Sequence, residues 1–274
     1  MAVALLSLKT IALQLHQPGV LVMAFNRPKS LNALGAEVYE EWREVLRLVH
    51  TNSAVRVLVM TGNGPAFTAG HDLAEDDVPW RESLRDEFRE RIDVTRELAR
   101  LIITSPVPII AAVNGPAIGF GCTVLGLCDL VLAAETAVFR TPFIELAFCA
   151  EGCSSVTFPR ILGPTVANDM LLFGKSMGAA EMHQRGFVAR LAKRDELMPL
   201  ALKIATKLAG QSQDAVRVTR SQIKRQEVVD ELVRTNDAEM DQLYLRMVST
   251  DARQAVSKMV ALIRSRNGGA KPKI

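Results

Sequence analysis

Apolar and polar positions alternate along residues 5–26 and break at His16-Gln17-Pro18-Gly19, a pattern that predicts two strands joined by a turn. Asn26-Arg27-Pro28-Lys29 then interrupts the chain. Leu34, Val38, Trp42, Val45, Leu46 and Val49 follow at helical spacing, forming one face of an amphipathic helix. Residues 55–60 read as a buried strand that stops at Thr61-Gly62-Asn63-Gly64-Pro65. Across residues 80–104, Leu84, Phe88, Ile92, Thr95, Leu98 and Leu101 share one face of a charged helix ended by Pro106-Val107-Pro108. Ile109–Val113 is a short buried strand, and a second Gly-rich bend over 114–121 leads into an apolar segment over 122–132. Short elements continue to 192, with Gly174 stopping a helix that ends at Phe173. From about 195 onward the pattern is helical. Strand–helix alternation with a helical tail predicts an α/β core over 1–194 and a helical extension over 195–274.

Composition narrows the class. With 49% hydrophobic and 23% charged residues the chain can bury a sizeable core, which excludes a disordered or fibrous protein. The 33 Lys+Arg against 30 Asp+Glu leave a net charge of +3 with no run of five or six like charges, and aromatic residues are only 5%, so nothing points to nucleic acid. No apolar run approaches the ~20 residues that span a bilayer. Residues 1–8 are apolar but lack a basic start and a small-residue cleavage site, and are read as mature protein. The cysteines Cys122, Cys128, Cys149 and Cys153 are spaced C-x5-C-x20-C-x3-C, without the paired knuckles of a zinc ribbon, and read as free thiols in a reducing compartment.

Several chemical signatures fail on spacing. Gly174-Lys175-Ser176 ends like a phosphate-binding loop, but Asp169 stands where the earlier glycine belongs. Phe67 and Val124 occupy the third glycine's place in the two Gly-rich bends, and no G-x-S-x-G elbow occurs. His16, His50, His71 and His183 are scattered, so no metal site is expected. Glu75-Asp76-Asp77 reads as a solvated helix start.

One constellation survives. Ala66-Phe67-Thr68-Ala69-Gly70-His71-Asp72-Leu73 and Gly115-Pro116-Ala117-Ile118-Gly119-Phe120-Gly121 share one design: a buried strand, a Gly-rich bend, then a helix. Small residues let a ligand approach the backbone, and peptide N–H groups at a helix start face outward. Two such groups aimed at one point make an oxyanion hole; two ordinary strand-to-helix turns would look the same in sequence.

Asn26-Arg27-Pro28 with Leu31-Asn32-Ala33-Leu34, then Ala69-Gly70-x-Asp72-Leu73, then Ala112-Val113-Asn114-Gly115-Pro116-Ala117 resembles the crotonase (enoyl-CoA hydratase/isomerase) superfamily, in order, over about residues 10–190. Thr141-Pro142-Phe143 and Glu151-Gly152-Cys153-Ser154-Ser155 through Phe158-Pro159 look like its peroxisomal-type Δ3,Δ2-enoyl-CoA isomerase branch. The resemblance implies a spiral of ββα units with C-terminal helices that assemble into trimers or dimers of trimers. It implies an acyl-CoA substrate, coenzyme A entering only as part of that substrate, and no metal, nicotinamide or flavin. The implied oxyanion donors are the backbone N–H groups of His71 and Phe120, with no catalytic role for the His71 imidazole. The implied substrate contacts are Thr68, Ala69, Gly70, His71, Asp72, Leu73, Gly119 and Phe143, with Arg27 and Lys29 as candidates for the CoA phosphates. The family's hydratases carry two carboxylates at positions occupied here by Thr123 and Phe143, so hydration is disfavoured. The isomerase branch carries one, which is Glu151 here. From the residues alone, Glu151 could equally be a glutamate favoured at a helix start, and Glu145 is its nearest rival. Apolar neighbours Phe143, Leu146 and Phe148 should raise its pKa.

The resemblance leaves two other readings: another crotonase-type acyl-CoA reaction, or a non-catalytic acyl-CoA-binding interaction protein. The branch implies peroxisomes, and the C-terminal Lys271-Pro272-Lys273-Ile274 partly imitates a serine-lysine-leucine address.

Overall fold

The computed structural model describes residues 6–79 and 81–266. The alternating segment folds as β1 (Ile11–His16) and β2 (Val20–Phe25), antiparallel partners around a turn holding a cis Gln17–Pro18 peptide. Further strands are β3 (Val57–Gly62), β4 (Ile109–Val113), β5 (Ala117–Ile118), β6 (Leu130–Ala134), β7 (Val138–Arg140), β8 (Met177–Gly178) and β9 (Arg190–Ala192). The main sheet runs β1-β2-β3-β4-β6-β9, parallel from β2 onward, and a small second sheet runs β5-β7-β8. Parallel neighbours require crossovers, and helices supply most of them. These are α1 (Ala36–Thr51), α2 (Leu73–Asp76), α3 (Leu84–Ile103), α4 (Phe120–Thr123), α5 (Ser154–Leu162), α6 (Pro164–Leu171) and α7 (Ala179–Gln184). After β9 the described chain is helical: α8 (Arg194–Ala209), α9 (Gln213–Ile223), α10 (Gln226–Met247) and α11 (Thr250–Arg266). This is the α/β fold with a helical C-terminal region that the sequence resemblance implies.

Period-two alternation assigns each strand residue to a face. Leu21, Met23, Phe25, Leu58, Met60, Ile109, Ala111 and Val113 point into the larger core, under α1 and α3. Val20, Val22, Val57, Val59, Ile110, Ala112 and Leu132 point to the other face. There α8 lies flat, because Leu197, Ala201, Ala205 and Ala209 repeat every four residues and bring small side chains onto the sheet. Both faces are covered, which explains why β2 is a continuous apolar run and not the apolar–polar alternation expected over 5–26.

Some boundaries move for local reasons. The first helix begins at Ala36, so Leu34 precedes it instead of lying on its face, because Leu31 and Asn32 adopt left-handed conformations (φ 51° and 58°) and Leu34 bridges to His71. β3 runs on through Thr61-Gly62, since Gly62 still pairs with Phe25 of β2. The apolar segment 122–132 is divided among the end of α4, a 3-10 turn (Val124–Leu127) and most of β6. α6 ends at Leu171, and Gly174 follows with φ +68°. Cys122 and Cys153 are buried free thiols, while Cys128 and Cys149 are half-buried ones. Among the described residues no helix is long and apolar enough to cross a membrane. Leu5, the start of the 80–104 segment at Trp80, and the C-terminal Lys271-Pro272-Lys273-Ile274 lie outside the described residues.

Candidate active site

The two Gly-rich bends leave the C-terminal ends of β3 and β4 and meet there. That end of a parallel sheet is where α/β folds bind ligands. Thr68 pairs with Ala117 as a parallel bridge: Thr68 N donates to Pro116 O (3.0 Å) and Ile118 N to Thr68 O (3.1 Å). Gly70 has φ +82°, and a Cβ there would stand 2.8 Å from the Ile118 carbonyl oxygen, so only glycine lets the two bends touch. Buried Thr68 ties the first bend further: its hydroxyl donates to Asn32 O (2.6 Å) and accepts from Gly70 N (3.0 Å). Two asparagines brace the bends from behind. Asn32 Nδ2 reaches Asn63 O and Ala66 O, and Asn114 Nδ2 reaches Gly64 O and Ala66 O.

This bracing orients the expected donors. Leu34 N donates to Gly70 O and Asp72 N to Leu34 O, so the Leu34 bridge uses the groups on either side of His71 and leaves the His71 N–H pointing away. Gly119, at φ +57° and ψ −128°, turns the chain into α4, where Phe120 is the first residue. The space beside Gly119 is open. Among the described residues neither His71 N nor Phe120 N donates to any hydrogen bond. Backbone donors are rarely left without an acceptor unless water or a ligand supplies one.

Glu151 lines a cavity of ≈ 50 Å³ with Tyr39, His71, Arg91, Phe143 and Phe148, closed by Ile92, Leu243 and Met247. Glu151 is 8% exposed, and no donor among the described residues reaches its carboxyl group. Burial, and after it the negative charge of Glu239, pushes its pKa up to about 8. Of the three apolar neighbours expected, Phe143 and Phe148 line the cavity, whereas Leu146 packs with Val256 and Val260 of α11. The two other acid positions are close by and not acidic. Phe143 is in the cavity wall, and a Cβ on Gly152 would stand 2.5 Å from Thr123 Oγ1. Glu145 is exposed and paired with Arg140 (2.5 Å), away from the cavity.

Other expected contacts acquire structural tasks. Arg27 donates to Ala33 O (2.7 Å) and pairs with Asp72 (3.3 Å), so both side chains brace the first bend. Lys29 is exposed on a 3-10 turn. Ala69 is half-buried in the bend, and Leu73 opens α2 and packs beneath α11. The acidic cluster is not a solvated helix start. Asp76 is nearly inaccessible and pairs with Arg91 and with His71 Nε2 (2.8 Å), while Asp77 pairs with Arg264 of α11 (2.9 Å). Cations from α3 and α11 converge on the end of α2 and draw Asp76 and Asp77 inward, while Glu75 stays exposed. Burial works to raise Asp76, but His71 and Arg91 outweigh it and hold its pKa below the usual value. No three His, Cys, Asp or Glu side chains among the described residues converge as a metal-ligand group.

A sequence model of the enoyl-CoA hydratase/isomerase family matches residues 16–261. The chain belongs to this family. It is 34% identical to the human protein named enoyl-CoA delta isomerase 2 over 241 residues, 88% of this chain and 60% of that protein. It therefore spans somewhat under two thirds of that relative's length. It is 33% identical to a crotonyl-CoA hydratase of Syntrophomonas wolfei over 202 residues, 73% of this chain and 76% of that one. A solved enoyl-CoA hydratase/isomerase from Pseudoalteromonas atlantica superposes with TM-score 0.83 at 29% identity, covering 93% of this chain and 98% of that one.

Family membership also orders the cavities. A larger, mostly apolar one, ≈ 720 Å³, lies between α9 and the N-terminal ends of β4 and β6, beside Pro108 and Asp129. It contains none of the residues expected to act. Sequence reasoning missed Tyr39, Arg91, Leu243, Met247 and Glu239. The signals were present as polar interruptions of apolar stripes: Arg91 beside Ile92 on α3, and Glu239 one turn before Leu243 on α10.

Proposed function

We propose that this protein is a Δ3,Δ2-enoyl-CoA isomerase, moving a double bond of an unsaturated acyl-CoA from C3 to C2. The observation that carries the reading is a carboxyl, Glu151, unpaired among the described residues, in a cavity walled by Phe143, with Thr123 beside Gly152 at the third acid position. The family resemblance implies two carboxylates for hydration at those positions, whereas shuttling one proton takes one general acid–base group.

Glu151 removes a proton from C2 of a 3-enoyl thioester, and the electron pair spreads through the dienolate to the thioester oxygen. The His71 and Phe120 N–H groups bind that oxygen, each donor contributing on the order of 10²–10³ in rate. Protonated Glu151 then returns its proton at C4, leaving the conjugated 2-enoyl thioester. A carboxyl near pKa 8 suits both halves, being a stronger base than an ordinary glutamate and an acid able to give the proton back near neutrality. The likeness to a protein named enoyl-CoA delta isomerase supports the same reaction.

The test is formation of the conjugated 2-enoyl thioester from 3-hexenoyl-CoA, followed in the ultraviolet without added cofactor. The wild-type protein is expected to form it and Glu151→Gln to lose it while still binding acyl-CoA. Acyl-CoA binding without turnover in the wild type would favour the interaction-protein reading. The crotonyl-CoA hydratase likeness supports a second reading, addition of water to a 2-enoyl-CoA, measured as loss of the same absorbance.

A further inference from the structure

Two polar side chains stand on the buried face of α10. Asn236 donates to Arg96 O (3.0 Å) and joins α10 to α3. Glu239 reaches the start of α5 instead: Oε2 accepts the Cys153 N–H (2.6 Å) and Oε1 the Ser155 N–H (3.0 Å). These amides belong to the first turn of a helix, where no intrahelical acceptor exists. Immediately after Glu151 the chain passes through two left-handed residues, Gly152 (φ 62°) and Cys153 (φ 60°). Within the turn, only Ser154 secures Glu151, through its N–H and hydroxyl on the Glu151 carbonyl (3.1 and 2.7 Å). The same helix donates Arg246 Nε to Ala147 O (2.8 Å) and accepts Cys153 Sγ at Leu232 O (3.2 Å). α10 thus grips the loop on both sides of Glu151.

We propose that Glu239 is a positioning residue for Glu151, clamping the 151–155 turn onto α10 and setting the direction in which the Glu151 side chain enters the cavity. The inference rests on Glu151 being the base of the proposed isomerisation.

The clamp also carries charge. Facing Glu151 are Tyr39 of α1, His71, Arg91 of α3, Glu239 of α10 and Cys149 of its own loop. Arg91 is matched by Asp76. Around Glu239 stand Cys149 and Cys153, with Arg246 near the first thiol and Lys224 and Asp237 near the second. Burial raises Glu239 above its ordinary value while the Ser155 and Cys153 donors pull it back. No such donor among the described residues reaches Glu151, so of this coupled pair Glu239 ionises first and Glu151 keeps its proton longer.

Glu239→Gln preserves volume and one acceptor oxygen but removes the charge. Carbon-13 NMR titration of protein labelled at glutamate Cδ, with the Glu151 signal assigned from Glu151→Gln, follows the midpoint without any turnover. In Glu239→Gln that midpoint is expected to fall by roughly half a unit or more, and the acid limb of kcat/KM to move with it. At the pH plateau kcat is expected to fall by about tenfold in Glu239→Gln and further in Glu239→Ala, with KM changed less than about threefold. An unmoved Glu151 midpoint together with wild-type kcat in the folded Gln variant overturns the inference, whether or not the Ala variant folds. An inactive wild-type protein counts against the isomerase reading alone, and the titration still decides the position of Glu239.

Discussion

Glu41 and Glu151 are buried to the same extent, 8% exposed each, and their surroundings are opposite. At the corner between β1 and α1, the Glu41 carboxylate accepts from Lys9 N (2.7 Å), Thr10 N (2.8 Å), Thr10 Oγ1 (2.5 Å) and Ile11 N (3.1 Å). Burial works to raise its pKa, but the Thr10 hydroxyl and the three amides outweigh burial and lower it. At the cavity, no donor among the described residues reaches Glu151 and its pKa rises to about 8, while the His71 and Phe120 amides have no acceptor among those residues. The first corner is complete as it stands. At the second, one carboxyl and two amides find no hydrogen-bond partner among the described residues. Equal burial therefore does not fix the direction of a carboxyl's pKa shift; its hydrogen-bond partners do.

The comparison can be broken most severely at Glu151 itself. Glu151→Gln is expected to lower kcat for 3-hexenoyl-CoA by about 10³-fold or more, from initial rates in the ultraviolet, because the amide cannot take the C2 proton. The donors come next. Gly70→Ala forces a Cβ against the Ile118 carbonyl and strains φ +82°, displacing the His71 N–H; kcat/KM is expected to fall about 10²-fold. At the satisfied corner, Glu41→Ala leaves three amides and a hydroxyl unpaired. It is expected to cost about 2–4 kcal/mol in urea unfolding while the folded fraction keeps its activity.

The sharpest contrast is in pH. Glu151 holds its proton more tightly when folded than at the ordinary 4.5, so from about 4.5 to about 8 the folded state carries the extra proton. Stability therefore falls as pH rises through that window, by up to about 1.4 kcal/mol per unit. Glu41 runs the other way: its folded pKa is lowered, so its contribution is present above 4.5 and is lost as pH falls through the folded value. Urea midpoints between pH 3 and 9 should show Glu151→Gln removing the loss on the alkaline side and Glu41→Gln the loss on the acid side. Parallel curves for the two variants would mean that the two carboxyls differ less than their surroundings imply.

Much of the fold was legible because one rule governed each segment. Leu21, Met23 and Phe25 alternate with Val20 and Val22, and the sheet buries both sets. Leu84, Phe88 and Ile92 share the face that α3 turns inward. Leu34 misled, because the left-handed Leu31 and Asn32 delay the helix until Ala36, and what holds Asn32 is the backbone of residues more than thirty positions away. Asp76 misled for the same reason: its neighbours in sequence are acidic, and its partners Arg91 and His71 meet it only after α2 and α3 pack.

The sequence by itself determined the order of elements, the two Gly-rich bends, the single acid among three possible positions and the family to which these residues belong. These follow from periodicity, from glycine's freedom at positive φ and from motifs read along the chain. Only the tertiary structure decided that Tyr39, Arg91 and Met247 close the cavity, that Arg27 braces Asp72 and that Glu239 stands behind Glu151. Each depends on contacts between residues distant in the chain, and the desolvation that raises Glu151 exists only once α1, α3 and α10 have excluded water around it.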